Sequence, residues 1–247
     1  MLIHPTIDKL NSMRLTGMAK GFRAQLENPE THNLPFEDRM ALMVDMEFME
    51  RENRQLATRL KGAQLRQNAA IEDLDTKPSR GIDRALLASL STCQWVKKHH
   101  NLLITGATGV GKTWLGCALS HNACRLGITV SYHRLPALVQ DLELARHDGR
   151  YKKVMRGIAK AELLILDDLG IAPIAQEQLR DLLEIIDERY QRGSILITSQ
   201  LPVASWHDAL GDPTMADAIL DRVLHNAYKI ELKGESMRKL RTKIDAT

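Results

Sequence analysis

Hydrophobic positions in the second half of the chain alternate between short apolar runs and longer segments of helical period. The apolar runs predict five strands, at residues 101–105, 128–132, 163–167, 194–199 and 227–232. The segments between them predict helices at residues 112–125, about 136–160 and 175–192. Gly127 and Gly193 follow two of these helices as stop signals. This alternation predicts an α/β fold, a parallel five-stranded sheet with helices on both faces.

Residues 1–75 lack strand signals and predict a small all-α N-terminal domain without chemistry of its own. Leu15, Met18, Phe22 and Leu26 share one helical face. A break at residues 28–35 precedes a long predicted helix at 36–67. The methionines within that helix favour core packing, and an adaptable partner surface is the alternative.

Residues 76–100 form a predicted linker and lead-in helix before the first strand. Leu90 and Trp95 in this part either line an adenine site or, as we favour, pack against the sheet.

The distribution of charge and the cysteine content indicate which part of the chain is basic and in which compartment we expect the protein. Net charge is only +3 over 247 residues, but residues 1–75 hold ten Lys/Arg against twelve Asp/Glu, which leaves 24 against 19 for the rest. The basic excess therefore belongs to the second part. The three cysteines form no C-x-x-C pair, which argues against a disulfide framework or a zinc site. No apolar stretch approaches membrane-spanning length. We expect a soluble, cytoplasmic protein with no membrane partner.

The loop after the first predicted strand carries the phosphate-binding pattern G-x-x-x-x-G-K-[ST] between a strand and a helix. Its glycines let successive N–H groups face phosphate oxygens. Lys112 is expected to neutralise the β- and γ-phosphates, and the Thr113 hydroxyl to bind Mg²⁺. The pattern predicts binding of ATP with Mg²⁺. The predicted nucleotide contacts are Gly106, Ala107, Thr108, Gly109, Val110, Gly111, Lys112, Thr113 and Trp114.

Two carboxylates follow the apolar run at residues 163–166, which is typical of a strand buried on both faces. The carboxyl ends of such strands are where ligands bind in open α/β sheets. We expect Asp167 to hold Mg²⁺ through water and Asp168 to polarise the attacking water. At the end of the next strand, Ser199 or Thr198 is the candidate for contacting the γ-phosphate or that water. Polar residues also end strands without such a role.

Two arginines near the C-terminus are further candidates. In ring-forming NTPases an arginine reaches the nucleotide of the neighbouring subunit and stabilises charge on the transferred phosphoryl group. Arg222 fits this role, and Arg238 fits a second role at the phosphates of the same subunit. A surface ion pair with Asp221 or Glu235 is an equally weighted alternative.

Six short sequence motifs, called boxes here, occur in an order that resembles the IstB-like ATP-binding proteins. These proteins are helpers of insertion-sequence transposition. They belong to the AAA+ class and are close to DnaC-type helicase loaders. They are the phosphate loop with Trp114, LLILDDLG ending at Gly170, ITSQLP ending at Pro202, GDPT from Gly211, the pair Asp221–Arg222, and KGESMR ending at Arg238. LTGMA from Leu15 and FEDR from Phe36 are similar to that family's helical adaptor. The resemblance covers essentially the whole chain.

The resemblance implies an AAA+ ATPase domain at residues 101–247 that assembles as a homo-oligomer on duplex DNA and stimulates a transposase. Arg222 would act in trans, and Arg238 as the second sensor. Asp168 departs from the glutamate that is usual in the AAA+ class, which implies slow hydrolysis. The chain after the last strand is too short for the full helical lid that carries the second sensor in lidded relatives.

A basic segment follows the second strand, where related initiators carry a nucleic-acid-binding helix. Lysine and arginine side chains there would contact phosphates without reading sequence. The candidate DNA contacts are Arg134, Arg146, Arg150, Lys152, Lys153 and Arg156. Residues 229–243 are a second basic candidate, and the sequence does not decide between the two.

Three other functions compete with a transposition helper. A replicative helicase loader would share the fold and differ in the partner of its adaptor. A small-molecule kinase is disfavoured because Asp167 and Asp168 suit the orientation of water. A binding switch that never turns over ATP differs only in hydrolysis.

Overall fold

The computed structural model describes residues 5–75 and 78–237. By its internal contacts the chain forms two compact units, Met1–Thr58 and Arg59–Thr247. The division falls within a single long helix, because α3 runs through it. The domain boundary at residue 75 stays a prediction.

The first unit is helical, as predicted. It contains α1 (Pro5–Ser12), α2 (Thr16–Glu27) and most of α3 (Phe36–Ala63). A short 3₁₀ turn, Pro29–Asn33, fills the predicted break. The residues of α2 that become fully buried are small, Gly17, Ala19 and Gly21. A Cβ at Gly17 would lie 2.5 Å from the Cα of Glu47, so α2 and α3 pack backbone against backbone.

The second unit contains all five predicted strands in one parallel sheet. The strands are β1 (Asn101–Gly106), β2 (Val130–Arg134), β3 (Leu163–Leu169), β4 (Ser194–Ser199) and β5 (Ala227–Leu232). Their order is β2-β3-β4-β1-β5, and each neighbouring pair is parallel. The predicted parallel five-stranded α/β fold is therefore confirmed.

Helices cover both faces of this sheet. They are α4 (Arg84–Ser91), α5 (Gln94–Lys97), α6 (Lys112–Arg125), α7 (Leu135–His147), α8 (Tyr151–Lys160), α9 (Gln176–Arg189), α10 (Trp206–Leu210) and α11 (Pro213–Leu224). On β4, Ile195 and Ile197 belong to the core that α7, α9 and α11 share. Leu196 and Thr198 alternate with these two residues along the strand and face α6 at Gly116. Alternate side chains of a strand point to opposite faces, so α6 lies across the sheet from that core.

Burial follows strand position in the sheet. Leu163 to Leu166 on β3 are at most 1% exposed, as the continuous apolar run predicted. The edge strands are less buried: β2 alternates buried with more exposed residues, and β5 buries only two of its six residues. Trp95 is 3% exposed, and its Nε1 donates to the Leu90 carbonyl at 3.1 Å. It is therefore packed in the core, as the favoured interpretation predicted. Among the described residues, no helix is long and apolar enough to cross a membrane.

Candidate nucleotide site

The phosphate loop connects the end of β1 to the start of α6. Gly106 has φ +145°, and a Cβ there would lie 2.3 Å from the Leu232 carbonyl oxygen on β5, so this close approach needs glycine. Lys112 is the first residue of α6 and is 8% exposed. Its Nζ donates to the carbonyl oxygens of Gly106 at 2.7 Å and Ala107 at 2.9 Å. The loop thus presents a buried ammonium at a helix N-terminus, where anions bind.

Asp167 is the centre of a buried hydrogen-bond network at the end of β3. Its side chain is fully buried and accepts from the Thr113 hydroxyl at 3.0 and 3.1 Å. The Tyr132 hydroxyl donates to Oδ2 at 2.5 Å, and the Thr198 hydroxyl donates to Oδ1. The fold therefore brings together Thr113 and Asp167, the two predicted Mg²⁺ ligands, from motifs 54 residues apart.

Asp168 lies at an irregularity in β3. Its φ is +70°, a left-handed conformation, and the β3–β4 register shifts between Leu166 and Leu169. Aspartate tolerates this conformation better than most residues. The backbone N–H of Asp168 donates to the Thr198 hydroxyl at 3.1 Å. The bulge lets two consecutive carboxylates lie on the nucleotide side of the sheet, where strict alternation would send them to opposite faces.

The Asp168 carboxylate is bound by arginine. Arg134, the last residue of β2, donates to Oδ2 from Nε at 3.1 Å and from Nη2 at 3.0 Å. Arg66 Nη1 lies 3.7 Å from the same oxygen and 3.6 Å from Asp167 Oδ2. No sequence motif pointed to Arg66, because it lies in an irregular segment far from the phosphate loop along the chain.

The two candidate hydroxyls on β4 have different partners. Thr198 contacts both Asp167 and the backbone of Asp168. Ser199 donates to the Leu169 carbonyl at 2.7 Å and accepts from the Leu201 N–H at 3.1 Å. Since the Ser199 hydroxyl is buried in backbone hydrogen bonds, the geometry favours Thr198 as the residue next to the acids.

A cavity of about 550 Å³ opens beside these groups. Many of the predicted site residues line this cavity. They are Thr108, Gly109, Gly111, Lys112, Thr113, Trp114, Arg134 and Asp168. Val110 is nearly fully buried, and its carbonyl accepts from Arg80 Nη2 at 2.5 Å. Arg66, Arg80 and Leu74 also line the cavity, so the segment before β1 forms one wall that the sequence did not predict.

Arg222 lies at the other end of the sheet from this cavity. Asn101, the first residue of β1, donates from Nδ2 to the Val223 carbonyl at 3.0 Å, whereas the phosphate loop leaves the last residue of β1. That strand separates the two ends by roughly 16 Å. Arg222 is ion-paired with Asp187 on α9, rather than with Asp221 or Glu235 as the alternative supposed. Arg238 lies outside the described residues.

The predicted DNA contacts fall into two groups. Three arginines have acidic partners within the described chain: Arg134 with Asp168, Arg146 with Asp181, and Arg150 with Asp148 at 2.7 Å. Lys152, Lys153 and Arg156 are exposed on α8, together with Lys160. A helical face with these residues is open to an anionic partner.

Comparisons with known proteins agree with a nucleotide-binding site. Residues 8–246 match the family model described as IstB-like ATP binding protein. The chain is 50% identical over 239 residues to the insertion sequence ATP-binding protein y4pL of Sinorhizobium fredii, covering 97% of this chain and 98% of the relative.

Two solved structures share the fold. DnaI has a TM-score of 0.59 at 23% identity, over 67% of this chain and 92% of its own. The DnaC helicase loader has a TM-score of 0.54 at 22% identity, over 67% of this chain and 97% of its own. Together with the phosphate loop, these likenesses confirm the predicted AAA+ P-loop fold.

Proposed function

This chain belongs to the family of IstB-like ATP-binding proteins, and we propose that it is an ATPase that assembles on duplex DNA and stimulates a transposase of its insertion sequence. The observation that carries the proposal is the contact of Thr113 with Asp167 beside Lys112, in a chain whose family match spans residues 8–246. The relative y4pL is named as an insertion sequence protein, which supports transposition as the setting.

Mg²⁺ suits the donor set of this site. The Thr113 hydroxyl would supply one oxygen ligand, and the Asp167 carboxylate, 3.0 Å from that hydroxyl, would hold the ion through water. Mg²⁺ prefers oxygen, and in nucleotide sites one or two carboxylates and the phosphates themselves hold it. When bound, Mg²⁺ would neutralise charge on the phosphate oxygens.

The chain's own residues would divide the work of hydrolysis. Lys112 binds the β- and γ-phosphates, and Asp168 orients a water molecule and accepts a hydrogen bond from it. The oxygen of this water forms a bond to the γ-phosphorus while the bond to the β–γ bridging oxygen breaks, and Asp168 takes up the proton that the water loses, giving ADP and phosphate. Thr198, through its contacts with Asp167 and Asp168, holds the two acids in register.

Arg222 supports action between subunits. It lies at the amino end of the sheet, remote from the phosphate loop of its own chain. An arginine in that position contributes to hydrolysis only at the site of a neighbouring copy. We therefore propose an ATP-dependent homo-oligomer in which Arg222 exchanges its contact with Asp187 for the neighbour's γ-phosphate.

The exposed basic face of α8 supports DNA binding. Lys152, Lys153 and Arg156 lie within about one helical turn of one another on the solvent side. Side chains of this type neutralise backbone phosphates and carry no base information. A cytoplasmic location also remains part of the proposal, supported by the free and buried thiols of Cys93, Cys117 and Cys124.

The deciding experiment measures phosphate release by the full chain with and without duplex DNA. It is followed by electron microscopy with DNA and a non-hydrolysable ATP analogue. Turnover that rises with duplex DNA, together with ATP-dependent oligomers on it, is the expected result. Pull-down with the transposase of the same insertion sequence and with the replicative helicase then identifies the partner. Capture of the helicase alone would establish a helicase loader instead.

A further inference from the structure

Arg66 joins the acidic end of β3 to a segment that no motif includes. The segment, residues 64–75, follows α3 and lines the nucleotide cavity. The Arg66 guanidinium lies 3.6 Å from Asp167 and 3.7 Å from Asp168, and the Tyr132 hydroxyl is bonded to the same Asp167 oxygen that Arg66 approaches. Arg66 thus lies within ion-pair distance of both carboxylates.

This segment is anchored on the phosphate-loop helix. Arg125 on α6 donates to the Glu72 carboxylate at 2.7 Å, and the 3₁₀ turn Ile71–Asp73 contacts α6. Ala63 and Ala69, on either side of Arg66, are buried at 0% and 2% exposure. The segment that carries Arg66 is therefore held by the same helix that positions Thr113.

Tyr132 and Arg66 meet at one oxygen of Asp167. The Tyr132 hydroxyl donates to Asp167 Oδ2 at 2.5 Å, and Arg66 Nη1 lies 3.6 Å from the same atom. The guanidinium and the phenol therefore restrain the same oxygen of this buried carboxylate.

We propose that Arg66 is a positioning residue for ATP hydrolysis, which holds Asp167 together with Tyr132 and holds Asp168 together with Arg134. The inference rests on the proposed ATPase function and names a regulatory element of the same site. The hydrogen bonds from Arg134 go to one oxygen of Asp168, Oδ2, which Arg66 also approaches, so in this proposal the other oxygen, Oδ1, orients the water. A shift of residues 64–75 would therefore alter the rate of hydrolysis without removing a phosphate ligand.

The test compares Arg66→Ala, Arg66→Lys and Tyr132→Phe in the full chain. Steady-state turnover gives kcat, and a fluorescent ATP analogue gives the dissociation constant. We expect Arg66→Ala to lower kcat by about 10- to 100-fold, the effect of misplacing a catalytic group, with the dissociation constant changed less than about threefold. Arg66→Lys should recover part of kcat because it restores the charge. Tyr132→Phe should lower kcat, and the double variant should lose less than the product of the two single effects.

Arg59→Ala is the matched control, because Arg59 also lies at the end of α3 but donates from Nε to the Cys124 carbonyl at 2.8 Å, away from the acids. An unchanged kcat in Arg66→Ala, an equal loss in Arg59→Ala, or a weaker affinity at unchanged kcat would each overturn the inference. If Arg66→Ala does not fold, Arg66→Lys and Tyr132→Phe decide alone: wild-type kcat in both overturns it. A wild-type chain that binds ATP without turnover overturns the ATPase proposal itself, which is a different result.

Discussion

The guanidinium of Arg134 holds one carboxylate oxygen of Asp168 through two N–H groups, at 3.0 and 3.1 Å. Arg134 ends β2, and Asp168 lies at the bulge of the neighbouring strand β3. The contact restrains the carboxylate that we propose orients the attacking water. An arginine assigned from the sequence to DNA is therefore part of the nucleotide site.

Asp168→Asn keeps the shape of the side chain and removes its capacity to act as a base. We expect ATP binding to survive while turnover falls by orders of magnitude. Arg134→Ala frees the carboxylate and should lower turnover by about 10- to 100-fold, with ATP affinity kept. The double variant should be no slower than Asp168→Asn, since Arg134 acts through Asp168. Phosphate release and analogue binding measure both quantities. Normal turnover in Asp168→Asn would show that the role given to Asp168 is wrong.

Lys112→Ala removes the buried ammonium that donates to the phosphate loop. Because charge-assisted hydrogen bonds to phosphate are each worth about 1.5–3 kcal/mol, ATP affinity should fall by roughly 100-fold or more. Titration with a fluorescent ATP analogue tests this. Lys97→Ala, at an exposed position on α5, is the control and should bind normally. Equal affinity in both variants would rule out the assigned phosphate site.

Arg222→Ala should bind ATP as a monomer, with poor turnover and no stable ATP-dependent oligomer, because the arginine acts on the neighbouring site. Mixing it with Lys112→Ala should partly restore turnover at composite sites that combine an intact phosphate loop with an intact arginine. Sizing chromatography and phosphate release follow the two effects. Arg192→Ala, on an exposed ion pair with Glu188, is the control. Mixed oligomers with no recovery of turnover would argue against action in trans.

Replacing Lys152, Lys153 and Arg156 on α8 by alanine should weaken ATP-dependent binding to duplex DNA. The slope of log affinity against log salt should fall by up to about three phosphate contacts, equally for different sequences, while ATP binding stays intact. A variant with Lys97, Lys98 and Arg192 replaced loses the same charge elsewhere and serves as the control. Unchanged affinity and slope would direct the search to residues 229–243 or to the helical adaptor. Loss of discrimination at one base position would mean that these side chains read base edges.

The first unit should lose stability in acid through Glu47. Burial favours a higher pKa for this carboxyl, but hydrogen bonds from Arg51 and from the backbone N–H groups of Met18 and Gly17 lower it below its ordinary 4.5. A carboxyl whose pKa is lower when folded contributes stability above its unfolded pKa, and this is lost as pH falls through the folded value. Glu47→Gln should cost about 1–3 kcal/mol at neutral pH and remove this pH dependence.

Amide hydrogen exchange at Gly17 and Met18, measured at neutral pH and below pH 4.5, would report this change locally. Glu50→Gln is the matched control, because Glu50 pairs with Lys20 at 2.8 Å on the surface, where such pairs are worth about 0–1 kcal/mol. Equal effects of the two substitutions would contradict the role of Glu47.

Sequence patterns by themselves determined the strands, the phosphate loop and the acidic strand of this protein. Each of these depends on neighbouring residues: a glycine-rich turn before Lys112, or a run of apolar residues before Asp167. Local period and spacing carry that information directly. The family resemblance rests on the same short boxes, and the family match over residues 8–246 confirms it.

Tertiary structure decided which side chains surround the acids. The strand order β2-β3-β4-β1-β5 places Tyr132 and Thr198 on either side of Asp167, and the bulge in β3 turns Asp168 toward Arg134. Arg66 reaches the same carboxylates from an irregular segment about 100 residues earlier along the chain. These contacts join positions far apart in sequence and depend on packing and backbone conformation, for which a single chain's local periodicity contains no signal.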